Sequence, residues 1–424
     1  MLEEAARPSR RAFLALFGAA GFARADTFLE DLTHRALRFF WEQSDQTTGL
    51  TLDRARNDGT REPRAPNMAT IAATGFALTA LAIAADRRWI PPAQAANRVR
   101  VTLQTFNRIE NRHGWFYHFL DATTGERFRT TELSSIDTAL LLAGVLTARQ
   151  YFHGDSEIQR LATAIWERVD FRWMLNGSPN VLCHGWKPES GFLPHRWEKL
   201  DEAVLLYALA IGSPNYSIPP DSWYAFERPI ITYDGITFAS NAPLFTHQYP
   251  QAWLDLRELR DGPPSNLDYF ANSVKATEAN RAFCIDLARD FPKSYSAQVW
   301  GISASDGENG YYAWGNPPHR AAIDGTVVPC APGGSLMFLP DLCLATLHAM
   351  KERYGNRIWG RYGFADAFNP TSGWVDPDVL GIDLGITLLS AENLRAGFVW
   401  KYFMRNPEIR KALDLAGLRR RSLP

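Results

Sequence analysis

The chain has 424 residues, and its 45 Lys and Arg nearly balance its 46 Asp and Glu, which gives a net charge of -1. Without a basic excess, nucleic acid is a poor candidate partner. A hydrophobic fraction of 46% excludes a disordered polyelectrolyte. Aromatic residues are numerous, with 14 Trp, 14 Tyr and 25 Phe, and such rings serve either as core or as flat faces for sugar stacking.

Residues 1–25 have the pattern of an export signal. Ser9–Leu14 contains a twin arginine, an apolar run from Ala12 to Phe22 follows, and Ala23–Ala25 supplies small residues for cleavage. An ordinary amphipathic first helix is the alternative. We expect a twin-arginine signal peptide at 1–25, one domain at 26–424, and a periplasmic or secreted protein. No later run is long and apolar enough to predict a membrane anchor.

Two kinds of helix alternate along the rest of the chain. Nearly charge-free helices are predicted at 68–85, 134–148 and 200–211, and apolar inner halves at 335–353 and 383–403. Amphipathic helices are predicted at 27–44, 93–110, 156–170 and 268–290. A helix without a polar face is buried on all sides, whereas an amphipathic helix lies outside it. The alternation predicts an all-α fold, an (α/α)6 toroid of inner and outer helices, with a pair of helical bundles as the alternative.

The connections between helices are long and rich in Gly, Pro and Trp, at 176–199, 214–240 and 292–334. Long loops of this kind are usually functional, and 228–240 is predicted to contain a small β-hairpin. The four cysteines have neither C-x-x-C spacing nor paired histidines. We therefore expect buried free thiols, no metal site and no cofactor.

Three acids lie where charge-poor helices are predicted to begin: Asp137, Glu202 and Asp383. If these helices run in the same direction, all three carboxylates meet at one mouth of the fold. Helix capping is the ordinary explanation for each acid. Since burying an unpaired carboxylate is costly, three of them on charge-poor helices favour a functional site.

Paired carboxylates in an aromatic-rich cleft are the groups that glycoside hydrolysis requires, one protonated and one ionised. The helix dipole favours an ionised group, which suits Asp383 as a base. Glu202 can act as an acid only if burial or a neighbouring carboxylate outweighs the dipole, and Asp201 and Asp137 are available for that.

Several segments together carry a family resemblance that extends from about residue 31 to 402. They are Trp115–Asp121, Glu132–Leu141, Glu202–Pro214, His247–Tyr249, Tyr269–Ser273, Tyr362–Pro370 and Leu380–Gly385. In these segments the chain resembles the bacterial glycoamylase-like family, whose best-understood members are β-1,2-glucanases. The resemblance implies a six-hairpin toroid and cleavage of β-1,2-linked glucan with inversion. It also implies Glu202 as general acid, Asp383 as the base-side carboxylate and Asp137 in an assisting role.

Two departures from the family pattern lie beside the expected cleft. Leu384 and Ile386 stand where Gln and Pro are expected, and Pro250-Gln251 stands where Ser-His is expected. These changes bear on substrate choice rather than on reaction type.

Indoles that can stack on sugar rings and polar groups that can bind hydroxyls are the expected substrate contacts, although any tryptophan could equally be core. The candidates are Trp186, Trp253, Trp300, Trp314, Trp374, Glu132, His247, Gln248, Arg257, Asn272 and Asn369. The sequence thus predicts an exported, monomeric, endo-acting hydrolase whose partner is β-glucan or a gluco-oligosaccharide. An exo-acting β-glucosidase, a polysaccharide lyase and a catalytically silent glycan-binding protein are the alternatives.

Overall fold

The computed structural model describes residues 26–241, 243–315 and 317–420, so the predicted signal peptide at 1–25 lies outside the described residues. The helices are α1 (Thr27–Glu42), α2 (Ile71–Asp86), α3 (Pro92–Arg108), α4 (Ser135–Tyr151), α5 (Ser156–Glu167), α6 (Phe171–Met174), α7 (Ala203–Gly212), α8 (Phe245–Trp253), α9 (Tyr269–Leu287), α10 (Cys330–Gly334), α11 (Pro340–Tyr354), α12 (Gly381–Ala396), α13 (Phe398–Phe403) and α14 (Pro407–Leu415). Short 3-10 turns occupy Pro220–Tyr224 and Gly355–Arg357.

The strands are all short. They are β1 (Arg54–Arg56), β2 (Met68–Thr70), β3 (Phe119–Asp121), β4 (Leu133–Ser134), β5 (Gly185–Lys187), β6 (Gly191–Phe192), β7 (Ile230–Tyr233), β8 (Ile236–Ala239), β9 (Leu259–Arg260), β10 (Ala304–Gly307), β11 (Gly310–Ala313), β12 (Trp359–Gly360), β13 (Gly363–Phe364), β14 (Phe368–Asn369), β15 (Trp374–Val375), β16 (Asp378–Leu380) and β17 (Arg419–Arg420). The predicted hairpin at 228–240 is confirmed as the antiparallel pair β7–β8.

The helices with the least polar surface form a closed circuit of contacts. In order they are α2, α4, α7, α8, α10 and α12; each packs against the next, and α12 packs against α2. In α2, all of residues 71–85 are buried, because a helix with no charged side chain over those positions has no face that water stabilises.

A second set of helices covers this circuit from outside. Its members are α1 on α2 and α12, α3 on α2, α5 on α4, α9 on α8, α11 on α10 and α14 on α7. Helix α5 buries Ile158, Leu161 and Ile165 along one face, as expected of an amphipathic helix at the surface. The prediction of a helical fold with buried and amphipathic helices is confirmed.

Short strands fix the start of three buried helices. Strand β2 leads into α2, β4 into α4 and β16 into α12, and their antiparallel partners are β3, β5 and β1, respectively. The strand pairs therefore hold the first turns of these helices, where Asp137 and Asp383 lie, at fixed positions.

The structure differs from the predicted helices at several points. Segment 335–353 is an outer helix, α11, and its inner neighbour is the separate short helix α10. Segment 383–403 is divided at Gly397, whose φ of 59° ends α12. Helix α8 was not predicted because Pro250 lies inside it and its sequence is rich in polar groups.

Helices α2 and α4 approach one another unusually closely, at two glycines. A Cβ atom on Gly144 would lie 2.0 Å from the backbone oxygen of Gly75, and a Cβ on Gly75 would lie 2.3 Å from the oxygen of Leu140. Only glycine permits this backbone contact. It helps to fix the spacing of the two helices that precede α7 in the circuit.

All four cysteines are unpaired and buried, as predicted. Among the described residues, no helix has the length and apolar character needed to cross a membrane.

Candidate active site

The three predicted catalytic carboxylates occupy different positions at their helix starts. Asp137 and Asp383 are each the third residue of their helices, α4 and α12, whereas Glu202 immediately precedes α7 rather than lying one turn inside it. The Glu202 side chain makes no capping hydrogen bond. Ser134, not Asp137, caps α4 by accepting from the Asp137 N–H. Helix capping therefore does not account for these acids.

The Glu202 carboxyl lies in surroundings that favour its protonated form. Burial raises its pKa well above the usual range, and the charges of Asp137 and Asp201 raise it further. Burial also raises the pKa of Asp201 to about 7. The helix dipole expected to ionise Glu202 is thus outweighed by desolvation and by like charge.

His118 links Asp137 to a further acid. Its Nδ1 lies 3.0 Å from Glu132 Oε1, and its Nε2 lies 3.5 Å from Asp137 Oδ1. The Ser134 hydroxyl donates to the other Asp137 oxygen. Burial opposes the charged imidazolium, but Asp137 and Glu132 outweigh that effect and raise the His118 pKa to about 9. Asp137 is therefore held by a charged partner on one oxygen and by a hydroxyl on the other.

Asp383 is buried, and donor groups surround it. The Tyr249 hydroxyl donates to Asp383 Oδ1 at 3.2 Å. Burial raises the pKa of Asp383, while hydrogen bonds from Asp366, from Cys330 and from Tyr249 oppose the rise.

Asp366 carries the proton of this second pair. Burial and the adjacent Asp383 raise the pKa of Asp366 well above its usual range, and its hydrogen bond to Asp383 favours the protonated form. A protonated Asp366 that donates to Asp383 leaves Asp383 as the ionised member of the pair. The site thus contains one carboxyl whose surroundings favour its protonated form, Glu202, and one that receives hydrogen bonds, Asp383.

Two tyrosines connect the two sides. The charges of Asp383 and Glu202 both act on the hydroxyl of Tyr249, whose pKa burial already raises. The same two carboxylates act on the hydroxyl of Tyr311. Both tyrosines therefore lie within electrostatic range of Glu202 and Asp383, as a common cleft requires.

Three further acids form a cluster, and two of them are paired with arginines. Asp306, Asp376 and Asp378 bring one oxygen each within 4.8 Å of one another, a spacing that could hold a cation. Arg54 already pairs with Asp306, and Arg56 Nε lies 3.3 Å from Asp378 Oδ1. Because two of the three candidate ligands have arginine partners, we assign no metal here.

Two of the predicted substrate contacts, Trp186 and Glu132, lie close to each other beside β4. Strand β5 places the half-buried Trp186 opposite Leu133, next to Glu132. The Arg112 guanidinium covers one face of that indole, with its carbon 4.2 Å from the ring centre.

Trp374 is also half-buried, and it lines a separate cavity with Lys293.

Three of the predicted stacking tryptophans are instead core residues. Trp253 and Trp300 are completely buried and Trp314 is 4% exposed, so none offers an open face to a sugar. The Trp314 indole N–H donates to Ser305 and supports the β10–β11 hairpin. The prediction for these residues is wrong because sequence alone does not separate a core indole from one that lines a cleft.

The polar candidates His247 and Gln248 are also structural. His247 is buried against Ser240, and burial lowers its pKa to about 4. Gln248 is completely buried and donates to the Ala331 carbonyl and the Ser335 hydroxyl. Both side chains serve packing around α8 rather than substrate contact.

The remaining candidates also have partners within the protein. Arg257 follows the carboxyl end of α8, where it pairs with Asp255. Asn272 exchanges two hydrogen bonds with the Ala239 backbone, and Asn369 donates to the Asp324 carbonyl and stabilises the following turn. These side chains are therefore engaged in contacts within the protein.

Sequence reasoning did not assign roles to His118, Asp366, Tyr249 or Tyr311. The first three lie within segments that carry the family resemblance, which was the available signal. Tyr311 lies in the long connection 292–334, for which the sequence predicted only a loop.

The fold and the two-sided carboxylate site are those of a carbohydrate-active enzyme, and comparison with known proteins agrees. Residues 194–407 match the glycoamylase family model, described as "Putative glucoamylase". An endo-β-1,2-glucanase from Chitinophaga pinensis, in complex with sophorotriose and glucose, superposes with a TM-score of 0.86 at 26% identity, over 93% of this chain and 98% of that one.

Two further relatives are informative. An exo β-1,2-glucooligosaccharide sophorohydrolase (non-reducing end) from Parabacteroides distasonis is 27% identical over 438 residues, which cover 93% of this chain. This chain spans 58% of that relative's length. An endo-β-1,2-glucanase from Talaromyces funiculosus shares the fold, with a TM-score of 0.64 at 13% identity over 94% of this chain and 91% of that one. These relatives are glycoside hydrolases. The chain belongs to the glycoamylase family.

Proposed function

We propose that the protein is a glycoside hydrolase that cleaves β-1,2-linked glucan on an (α/α)6 toroid. Glu202 is the general acid and Asp383 is the carboxylate that activates water. The observation that carries this assignment is the difference between the surroundings of the two carboxyls. Burial and like charge keep Glu202 protonated, whereas Asp383 is supplied with hydrogen-bond donors.

On the acid side, Glu202 gives its proton to the departing glycosidic oxygen. A general acid must be protonated at working pH and must still release its proton in the transition state. Asp137 supports the first requirement because its charge opposes ionisation of Glu202. His118 and Ser134 hold Asp137 in place for this role.

On the other side, Asp383 accepts a proton from the attacking water. Its hydrogen bonds with Tyr249 and Asp366 orient the carboxylate and favour its ionised form. A base that activates water on the face opposite the leaving group inverts the anomeric carbon. We therefore propose an inverting reaction.

The linkage and the mode of attack are proposed from the relatives. The Chitinophaga pinensis and Parabacteroides distasonis proteins are both named for action on β-1,2-linked glucose chains, the first as an endo enzyme and the second as an exo enzyme. We propose endo cleavage because the endo enzyme superposes over 98% of its own chain, whereas the exo relative is matched over only 58% of its length. Exo release of short oligosaccharides is the alternative.

The decisive experiment replaces Glu202 by Gln. Loss of the transferable proton lowers kcat on linear β-1,2-glucan by roughly 10²- to 10⁴-fold, the range for general acid catalysis. The matched control is Glu198→Gln, the same change at an exposed position four residues earlier, which leaves kcat unchanged. Full activity in the Glu202→Gln protein would contradict the assignment.

A glycan panel tests the substrate. Linear β-1,2-glucan is compared with β-1,3-, β-1,4- and α-1,4-linked glucans, and early products are sized. A mixture of long oligosaccharides supports endo cleavage, whereas a single short product from the first minutes supports exo cleavage. An unsaturated, ultraviolet-absorbing product would indicate a lyase, and binding without turnover would indicate a silent glycan-binding protein.

We also propose that the protein is exported through the twin-arginine route and acts as a monomer. The supporting feature is the Ser9–Leu14 motif with its apolar run. Replacing Arg10 and Arg11 by Lys in a reporter fusion should abolish export, and light scattering of the purified protein reports its mass.

A further inference from the structure

The hairpin formed by β10 and β11 is fixed to the base side of the site. Its strands pair from Ala304 with Ala313 to Gly307 with Gly310, which places Asp306 opposite Tyr311. The Asp306 N–H donates to Asp366 Oδ2 at 2.9 Å, and Asp366 is the partner of Asp383. One strand of the hairpin is therefore joined directly to the acid pair.

The strands of the hairpin make two further sets of contacts. Arg54, on β1, pairs with Asp306. On the opposite side, Trp314 donates to Ser305 at 2.9 Å, and its ring lies 4.8 Å from that of Tyr312. These contacts attach the hairpin that carries Tyr311 to the rest of the fold.

Tyr311 is unusual in its exposure. It is 53% exposed, although the core aromatic residues around the site are almost fully buried. Its hydroxyl end nevertheless lies deep enough for burial to raise its pKa, with further contributions from Asp383, Asp366 and Glu202. The ring is thus open to solvent, on a hairpin whose other strand is bonded to Asp366, the partner of Asp383.

An exposed aromatic ring beside a carboxylate site offers a flat apolar face on which a ligand can stack. A sugar ring offers an apolar face for stacking and hydroxyls for hydrogen bonding, so it satisfies both ends of a tyrosine. A group that approaches both the acid and the base lies where the cleaved bond must lie.

We propose that Tyr311 binds the glucosyl unit at the point of cleavage, with its ring against the sugar and its hydroxyl on a sugar hydroxyl, and that the β10–β11 hairpin is the wall that holds this unit between Glu202 and Asp383. This inference rests on the proposed function. It assigns Tyr311 to substrate binding and not to proton transfer.

The test compares Tyr311→Ala and Tyr311→Phe with the wild type on the glucan that the wild type cleaves fastest in the panel. We expect Tyr311→Ala to lower kcat/KM by roughly 10- to 100-fold, the loss expected for one aromatic contact and one hydrogen bond. Tyr311→Phe keeps the stacking face and should fall between the two. The matched control is Tyr216→Ala, the same change at an exposed tyrosine outside the site, which leaves kcat/KM unchanged.

A binding measurement separates a direct contact from a structural effect. Sophorose is titrated into Glu202→Gln protein with and without Tyr311→Ala, and thermal unfolding is measured for each. Weaker sophorose binding at an unchanged unfolding temperature supports the inference. Wild-type kcat/KM in Tyr311→Ala, or unchanged sophorose binding, would overturn it. If the wild type cleaves no glucan in the panel, the proposed function has failed instead.

Discussion

Replacing His118 by Gln removes the positive charge that lies between Glu132 and Asp137. In the folded protein the ring nitrogens lie 3.0 Å and 3.5 Å from these two carboxylates. The His118 side chain is 28% exposed, so solvent screens these interactions only in part. Glutamine keeps a hydrogen-bonding group of similar length but carries no charge at any pH.

The size of the effect follows from the shift of the imidazole pKa. A rise from 6.5 to about 9 on folding corresponds to roughly 3 kcal/mol, since each pH unit is worth about 1.36 kcal/mol. Because the folded pKa is the higher one, this stabilisation is fully present below the unfolded pKa of 6.5. It is lost as the pH rises through about 9.

The assay is the free energy of unfolding by denaturant between about pH 6 and pH 10. Wild type should exceed His118→Gln by roughly 3 kcal/mol at the acid end, and the difference should fade above about pH 9. His153→Gln, at an exposed histidine, should follow the wild-type curve. NMR titration of labelled histidines measures the same pKa directly, and the missing signal in His118→Gln assigns it.

The result that would refute this reasoning is an identical pH dependence of unfolding in wild type and His118→Gln. It would mean that the imidazole is neutral in the native protein near pH 7. Asp137 would then lack its charged partner, and the explanation for its fixed position beside Glu202 would fall.

Two further changes test other parts of the structure. Asp137→Asn removes a charge that opposes ionisation of Glu202, so the high-pH limb of the kcat/KM profile should move to lower pH by roughly one unit; an unmoved limb would contradict that coupling. Gly144→Ala forces a methyl group to within 2.0 Å of the Gly75 oxygen and should cost at least about 1–3 kcal/mol of unfolding free energy. Gly154→Ala, where nothing lies within 4 Å, is its control, and equal stability of the two variants would contradict the close helix contact.

The helical layers could be predicted because burial leaves a direct trace in the sequence. The charge-free run that became α2 could only be stable with water excluded from all its faces. Helix α8 left no such trace, since its buried side chains include His247 and Gln248 and its interior contains Pro250. Helix α10, with five residues from Cys330 to Gly334, is too short for any periodicity to show.

The carboxylates and their roles could be predicted from the sequence, but not all the neighbours that set their protonation could. Asp383 and Glu202 were recognisable as acids on charge-poor helices. Which one holds a proton depends on neighbours distant in sequence, such as Asp366 beside Asp383. The prediction for the tryptophans failed for a related reason. Trp253 and Trp300 are of the residue type that stacks on sugars, and only their packing shows that they are buried.

Glu202 and Asp383 have different surroundings, and this difference suits one to donate a proton and the other to accept one. Desolvation raises the pKa of both carboxyls and by itself favours the protonated form of each. Glu202 has like charges beside it, which reinforce desolvation, whereas Asp383 receives hydrogen bonds from Tyr249 and Asp366, which oppose it. The contrast therefore depends on the donors at Asp383 more than on the acids themselves. Removing the donor at Tyr249 or Asp366 should raise the pKa of Asp383 and so move the low-pH limb of the activity profile to higher pH. The high-pH limb, which Glu202 sets, should stay in place.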